Sequence, residues 1–516
     1  MRGLYPVEVV REAENALMKR VPDGSLMQRA ARAIAVECVR RVRERRGRLV
    51  GAHVVLLVGS GNNGGDTLFA GAHLAHRGLS VRAICVASSC HDAGARAFTA
   101  AGGRFVSGDL DPSTLEQECV NADLIVDGIV GIGARGALRD AAAHAVEMAN
   151  SSGAVRLAVD LPSGVDADTG AIDGVGFDAD VTVTPGCLKP GLFLVPARSH
   201  VGEVRLVDIG LQPELPEPGY WLIDPVDVAD VVKKPKDNDH KYRRGAVAVA
   251  AGSRIYPGAA ILAVGGSRYS GVGMVRFLDR ADGVAEQVVS VYPDVVCDGS
   301  DLRSDARVRA WACGPGFTES DASTVQMVLS SDVPVVLDAG ALRSLATDTE
   351  LRSECRRRVE RGCTTVITPH SGEFALIAGA DGEAMTSQRL ARELGVIVVR
   401  KGPGTTITAA SGPSFIDTAG VPDLACAGSG DVLTGLMAGM LAARPDQDPL
   451  VVVTAAVWLH GVAAQRAGRR QRPVVATDVR DCLAEWLAAD RGGDVEGLRG
   501  WRRLSVGRAR GSICRR

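Results

Sequence analysis

Two glycine-rich segments, each closed by an aspartate, hold the residues best suited to chemistry. The first is Gly59-Ser60-Gly61-Asn62-Asn63-Gly64-Gly65-Asp66 and the second Ala427-Gly428-Ser429-Gly430-Asp431. Each follows an extended stretch and opens an apolar helical pattern, so the unpaired N–H groups of a helix start converge there on an anion. Glycine lets that backbone come close to a phosphate. Asn62, Asn63 and Asp66 add polarity that a plain turn does not need. In the second segment, successive N–H groups would face developing phosphoryl charge while Asp431 faces a reacting hydroxyl. Two such loops imply two phosphate-bearing ligands, or one ligand handled twice.

Further polar groups stand at the ends of apolar runs. Asp127 follows Leu124–Val126, and Asp160 follows Leu157–Val159. An aspartate after a strand can be a helix cap, but three acids at strand ends of one sheet would converge on a crevice. Lys401-Gly402-Pro403-Gly404-Thr405 could cradle a second phosphate, although a lysine there could also lie on the surface. Thr368-Pro369-His370-Ser371-Gly372-Glu373 brings a histidine and a glutamate to another strand end, where His370 could equally be structural. His460 sits inside a helical pattern and reads as packing.

The elements that must position these groups alternate strand and helix. Ser25 is the expected N-cap of a helix with Leu26, Ala30, Ile34 and Cys38 on one face, and Gly47 ends it after a run of arginines. That basic end reads as a solvated helix terminus matched to the dipole. Val54–Val58, Leu124–Val126 and Leu157–Val159 are expected as buried parallel strands, with a helix over Thr67–Arg77. The pattern predicts a doubly wound α/β sheet with function at its carboxyl ends. Gln212–Pro218 can continue neither helix nor central strand and is placed as the linker. Beyond it the pattern restarts with Gly245–Ala251 and Ala259–Tyr269, then strands at Val333–Leu337, Thr365–Thr368 and Val396–Arg400. Domains are therefore expected at 1–215 and 225–490, followed by an arginine-rich tail at 491–516.

Composition excludes several classes. At 516 residues one hydrophobic core is too few. A net charge of −2 gives no overall case for nucleic acid or an anionic membrane. Acids at Glu8, Glu12 and Glu14 interrupt the opening apolar residues, so no secretory segment is expected. The most apolar stretch, Ala246–Gly266, is broken by Arg254 and Pro257, so a membrane span is not expected. Twelve cysteines without a paired CxxC motif read as reduced thiols of a cytoplasmic protein.

The motifs GNNGGD, DGIVGIG and VDLPSGVDADTG, in this order over residues 5–210, resemble the NAD(P)H-hydrate epimerase family. The resemblance implies that Asn62, Asn63, Gly64, Gly65 and Asp66, with Gly131, Ile132, Gly133, Ala134, Arg135, Gly136 and Ala137, bind the hydrated dinucleotide. It implies a potassium ion on Asn63, Asp127 and Ser163, and Asp160 as the substrate-contacting acid/base. A hard monovalent cation takes oxygen ligands, which these side chains offer. Residues 235–490, through Tyr256-Pro257-Gly258-Ala259-Ala260, Gly314-Pro315-Gly316, TPHSGEF, KGPGT and AGSGD, resemble the ADP/ATP-dependent NAD(P)H-hydrate dehydratases. That resemblance implies a ribokinase-like domain, beside a Rossmann-like first one. It places Ala260, Gly316, His370 and Asp431 on the hydrated substrate, and Lys401, Gly402, Pro403, Gly404, Thr405 and Gly430 on the adenine nucleotide.

The implied function is repair of hydrated NADH and NADPH. One domain would epimerise the R and S hydrates, and the other would dehydrate the S form with ADP or possibly ATP, releasing AMP and phosphate when ADP is used. Magnesium is expected with the nucleotide, and a homo-oligomer is expected. Thr67, Gly340, Arg343 and Phe317 depart from the family pattern. The rival readings are a small-molecule kinase of the same fold and a binding scaffold, the latter disfavoured by Asp127 and Asp160. Weak RNA binding through the tail is a lesser alternative.

Overall fold

The computed structural model describes residues 1–489 apart from 107–111, 233–236, 300–301, 303–304, 319–320, 380–384 and 471. The expected tail at 491–516 lies outside the described residues. Gly3–Pro218 forms one compact unit, and the described residues from Gly219 to Ala489, joined by Met1–Arg2, form the other.

In the first unit a seven-stranded sheet runs in the order Arg104–Phe105, Ser80–Cys85, His53–Val58, Leu124–Gly128, Val155–Val159, Val181–Pro185, Glu203–Val207. Every neighbouring pair is parallel. Numbered within the sheet, the order is 3-2-1-4-5-6-7, so the winding reverses between His53–Val58 and Leu124–Gly128. A crevice opens at the carboxyl ends of strands where the winding reverses. The strands are apolar because both faces are covered: Val54, Leu56 and Val58 enter one core cluster, Val55 and Leu57 another.

The second unit repeats that order. Its strands lie as Val296–Asp298, Met274–Leu278, Ala246–Ala250, Val308–Cys313, Val335–Leu337, Thr365–Ile367, Ile397–Arg400, then Thr406–Thr408, Ser414–Ile416 and Tyr220–Leu222. The first seven are parallel, and Thr406–Thr408 pairs antiparallel with both neighbours. The reversal falls between Ala246–Ala250 and Val308–Cys313.

Several sequence expectations need correction. The helix Ser25–Arg46 is preceded by Gly24 in the left-handed region, and the Ser25 hydroxyl donates to Pro22 O instead of capping. The helix expected from Thr67 begins at Asn62, because Asn63, Gly64 and Gly65 already wind into its first turn. Asp127 lies inside its strand, not after it. Ala246–Gly266 splits into a strand and a helix. Among the described residues one helix, Pro449–Gly468, is long and apolar enough to cross a membrane, and 78% of its apolar window is buried. The basic end of Ser25–Arg46 is matched locally: Arg40, Arg41 and Arg46 pair with Glu37, Glu44, Glu203 and Asp123.

The helix Ser429–Ala443, which carries Asp431, is buried against Pro257–Arg268. A Cβ on Gly435 would stand 1.9 Å from Ala263 O, and one on Gly266 2.1 Å from Val432 O. Ser267 Oγ donates to Ala263 O and Gly435 O, stitching the crossing. Gly435→Ala should therefore cost about 1–3 kcal/mol through forced separation of the helices, seen as a lower denaturation midpoint. An unchanged midpoint would contradict this close crossing.

Candidate active sites at the two switch points

In the first domain a cleft of about 800 Å³ opens at the winding reversal. Its lining includes Asn62, Asn63 and Asp66 from the glycine-rich loop, Gly131–Ala134, Asp160, and Arg11 and Glu14 from the helix Val7–Met18. Gly64 and Gly65 lie beneath this surface. A Cβ on Gly64 would meet Gly59 O at 2.1 Å, and one on Gly65 the His91 ring at 2.9 Å. Their smallness closes the loop on the sheet. Arg135, Gly136 and Ala137 fall outside the lining.

Asp160 sits at φ 69, a left-handed conformation that a non-glycine residue adopts only when its surroundings impose it. Its Oδ1 accepts from Lys189 Nζ at 2.6 Å and its Oδ2 from Ile132 N at 3.2 Å. Lys189 is fully buried and also donates to Thr184 Oγ1 at 2.8 Å. Burial works against the ammonium, but the charge and hydrogen bond of Asp160, with Cys187 and Glu14, together outweigh it and raise the lysine above its ordinary value. Asp66 has no such partner: its Oδ1 is buried and makes no hydrogen bond. Burial, then the charges of Asp160 and Glu14, push it well above the carboxylate range. Glu14 is raised by burial and Asp160, against the opposing pull of Lys189 and Arg11.

Asp127 and Ser163 are completely buried and Asn63 nearly so. Asp127 accepts from Ser163 N at 2.7 Å, Ser163 Oγ at 2.6 Å and Ile129 N at 3.1 Å. Burial still pushes it up to about 6. Asn63 Nδ2 donates to Val130 O and Val159 O, which leaves its Oδ1 for another partner. A buried carboxylate, a buried hydroxyl and the Asn63 amide oxygen are three donors of the type a hard monovalent cation takes. Among the described residues no group of three or more His, Cys, Asp or Glu side chains is arranged to hold a metal.

The second site is organised by Asp338, a buried residue at the end of Val335–Leu337. Lys401 Nζ donates to its Oδ1 at 2.6 Å, Thr368 Oγ1 to the same oxygen at 2.7 Å, and Thr434 Oγ1 to Oδ2 at 2.8 Å. One carboxylate thus ties three adjacent strand ends to the helix of Asp431. Burial opposes its charge, but Lys401 and the hydroxyl donors outweigh that and hold it below the ordinary range. Asp431, in the first turn of its helix, is pushed up to about 7 by burial and the Asp338 charge, with Lys401 opposing. A Cβ on Gly430 would lie 3.2 Å from Lys401 Nζ. Glycine there keeps the ammonium against the loop, so Lys401 is not a surface residue.

The other expected residues take varied places. Ala260 is fully buried, and Gly316 (φ 70) packs on Ala259 and Gly252. His370 is largely exposed and caps the helix Ser371–Ala378, its Nδ1 accepting from Gly372 N and Glu373 N. The turn Gly402–Thr405 is closed by Thr405 Oγ1 donating to Gly402 O at 3.0 Å, with Pro403 and Gly404 between. His460 is buried; its Nε2 has no hydrogen-bond partner and burial pulls it down to about 4. Gly340 is explained by Phe317: a Cβ there would lie 2.5 Å from Phe317 Cβ and 2.7 Å from its carbonyl oxygen. Arg343 donates to that oxygen, and Arg280 stacks 3.8 Å over the Phe317 ring. These departures from the family pattern form one packed unit. Thr67, the other departure, is buried with its hydroxyl donating to Asn63 O at 2.8 Å.

Lys189, Glu14 and Asp338 were not singled out from sequence. Lys189 had a signal, a lysine set among Cys187, Leu188 and Pro190; Asp338 had one at the end of Val-Val-Leu.

A cleft at the winding reversal of the first sheet, and in each domain an aspartate held 2.6 Å from a lysine at strand ends of a doubly wound sheet, define a two-domain α/β protein built to handle nucleotides. The family described as YjeF-related protein N-terminus matches residues 23–191, and that described as NAD(P)H-hydrate dehydratase matches 247–484. A bifunctional NAD(P)H-hydrate repair enzyme of Mycobacterium tuberculosis (strain ATCC 25618 / H37Rv) is 39% identical over 448 residues, 86% of this chain and 89% of that one. The enzyme so described from Mycobacterium leprae is 38% identical, covering 86% and 90%. A Bacillus subtilis ADP/ATP-dependent NAD(P)H-hydrate dehydratase, crystallised with ATP/Mg2+, covers 54% of this chain and 96% of its own, at 30% identity and a TM-score of 0.43. The chain belongs to the family of bifunctional NAD(P)H-hydrate repair enzymes, and its domains are Rossmann-like and ribokinase-like.

Because Lys189 is buried against Asp160, Lys189→Met should destabilise the first domain by about 3–5 kcal/mol, the cost of a buried charge left unpaired. Chemical denaturation reads this directly; a loss under 1 kcal/mol would contradict the pair.

Proposed function

We propose that this chain repairs hydrated NADH and NADPH in two steps. The cleft of residues 1–215 interconverts the R and S hydrates, and residues 225–490 dehydrate the S form with ADP or ATP. The observation that carries the second step is Asp431: a half-buried carboxylate at a glycine-opened helix start, beside an ammonium. It takes the proton of the ring hydroxyl as that oxygen attacks the terminal phosphorus. The Ala427–Gly430 backbone and Lys401 face the charge that develops on the transferred group. Phosphate then leaves from the ring carbon and the neighbouring carbon loses a proton, which restores the dihydronicotinamide. With ADP the by-products are AMP and phosphate.

Ala260, Gly316 and His370 would border the hydrate, and Lys401–Thr405 with Gly430 the nucleotide phosphates. Magnesium would enter with the nucleotide and neutralise phosphate charge. In the first domain Asn62, Asn63, Asp66 and Gly131–Ala137 would hold the dinucleotide, and Asp160 would move the proton. Asn63, Asp127 and Ser163 would hold potassium, which would balance the buried Asp127 charge. The eleven described cysteines are all unpaired thiols, which accords with a reducing cytoplasm. Assembly as a homo-oligomer belongs to the same proposal.

Recovery of dihydronicotinamide absorbance from the S hydrate and ADP or ATP tests this reading. A base must be ionised to act, so the rate should rise with pH through about 7. Lys401→Met removes the cation that lowers Asp431, so its limb should move to higher pH. Asp431→Asn should slow recovery at least ~100-fold. A phosphorylated product that accumulates without return of reduced coenzyme would identify a kinase instead.

A further inference from the structure

Four carboxyls, Glu14, Asp23, Asp66 and Asp160, line the epimerase cleft, and one of them is paired with a buried lysine. Lys189 pairs with Asp160 at 2.6 Å, whereas Asp66 has a buried oxygen without a partner and Glu14 lines the same cleft. Asp66 and Asp160 reach the cleft from strands on either side of Leu124–Gly128: Asp66 follows His53–Val58, and Asp160 follows Val155–Val159. Glu14 comes from the helix Val7–Met18, ahead of the residues that the family profile matches. A carbon bearing a hydroxyl beside a ring nitrogen inverts when the hydroxyl leaves one face and water enters the other. That exchange needs a proton donor and a proton acceptor held in opposite states of charge.

We propose that Asp66 is the proton donor and Asp160 the acceptor of this exchange, with Lys189, paired to Asp160, and Glu14, on the same cleft wall, as positioning residues. The inference rests on the epimerase reading above. The ring nitrogen's lone pair forms C=N as the C–O bond breaks, and the oxygen leaves as water with the proton of Asp66. Water then adds to the opposite face, the C=N electrons return to nitrogen, and the surplus proton passes to Asp160. Conversion of the other epimer runs the transfer backwards and resets both carboxyls, as does exchange with solvent.

The facing charges agree with these roles. Burial first, then the facing Asp160 and Glu14 carboxyls, raise Asp66 and favour its protonated form. Lys189 meets Asp160, Cys187 and Glu14, and Glu14 meets Lys189, Asp160 and Arg11.

Purified R hydrate, with ADP or ATP present and the dehydratase in excess, reports epimerisation as recovered absorbance. In the full-length wild type the rate should fall as pH rises past the raised Asp66 value, because the donor is then lost. Asp66→Asn should lower kcat about 100-fold with KM little changed and abolish that alkaline limb, and Asp66→Glu should restore much of it. Glu14→Gln removes one of the charges that raise Asp66 and should move the limb to lower pH. A wild-type denaturation midpoint of the first domain in each variant shows that it is folded. Asp66→Asn with normal kcat, raised KM and the limb intact would make Asp66 a binding residue and overturn the proposal. Wild-type chain that converts R hydrate no faster than buffer would instead overturn the epimerase reading beneath it.

Discussion

An aspartate held 2.6 Å from a lysine, one member of the pair fully buried, at the carboxyl ends of parallel strands, is the constraint on which both halves depend. Burying such a pair is costly unless further donors satisfy its remaining lone pairs. In the first domain Ile132 N bonds Asp160, and Thr184 shares Lys189. In the second, Thr368 and Thr434 complete Asp338. The strain nearby points the same way. Asp160 itself, and Ala339 beside Asp338, are the non-glycine residues at positive φ among those described.

The two pairs serve different chemistry because different groups stand beside them. Asp160 faces the cleft, and the lysine behind it is fully buried. Asp338 is the buried member in its domain, and Lys401 lies against Gly430 where a phosphate would be transferred. The neighbouring carboxyls, Asp66 in one case and Asp431 in the other, are raised by burial and by the paired aspartate's charge. An acid that keeps its proton suits loss of a hydroxyl; one near 7 suits acceptance of a hydroxyl proton at neutral pH. The same winding, 3-2-1-4-5-6-7, brings Asp66 and the Gly131–Ala134 segment to a reversal point in the first domain, whereas Asp338 and Lys401 follow the second and fourth strands past the reversal in the second.

Much of this was legible in the chain. Apolar runs bounded by glycine-rich turns located the strands, and the aspartates of GNNGGD and AGSGD lie where those turns open helices. What could not be read were contacts between residues far apart. Lys189 meets Asp160 across 29 residues and Lys401 meets Asp338 across 63. The apolar neighbours of Lys189 hint at burial, but nothing local to either lysine names its partner. Glu14 interrupts the opening apolar residues, and nothing in its own helix shows that it lines a cleft. Local rules also erred where backbone conformation decided the outcome. Ser25 looks like a cap, but left-handed Gly24 starts the helix and turns the hydroxyl back to Pro22. Gly340 and Arg343, anomalies as a sequence, are accounted for only once Phe317 is seen against them.

The most direct measurement supplies the wild-type chain with isomerically pure R hydrate of NADH and with ADP, and follows reduced coenzyme and phosphate together. If one site feeds the other, all of the R hydrate returns as NADH, one phosphate appears for each, and the process outruns spontaneous epimerisation. Recovery limited to the spontaneous rate, or phosphate released without NADH, would contradict the account.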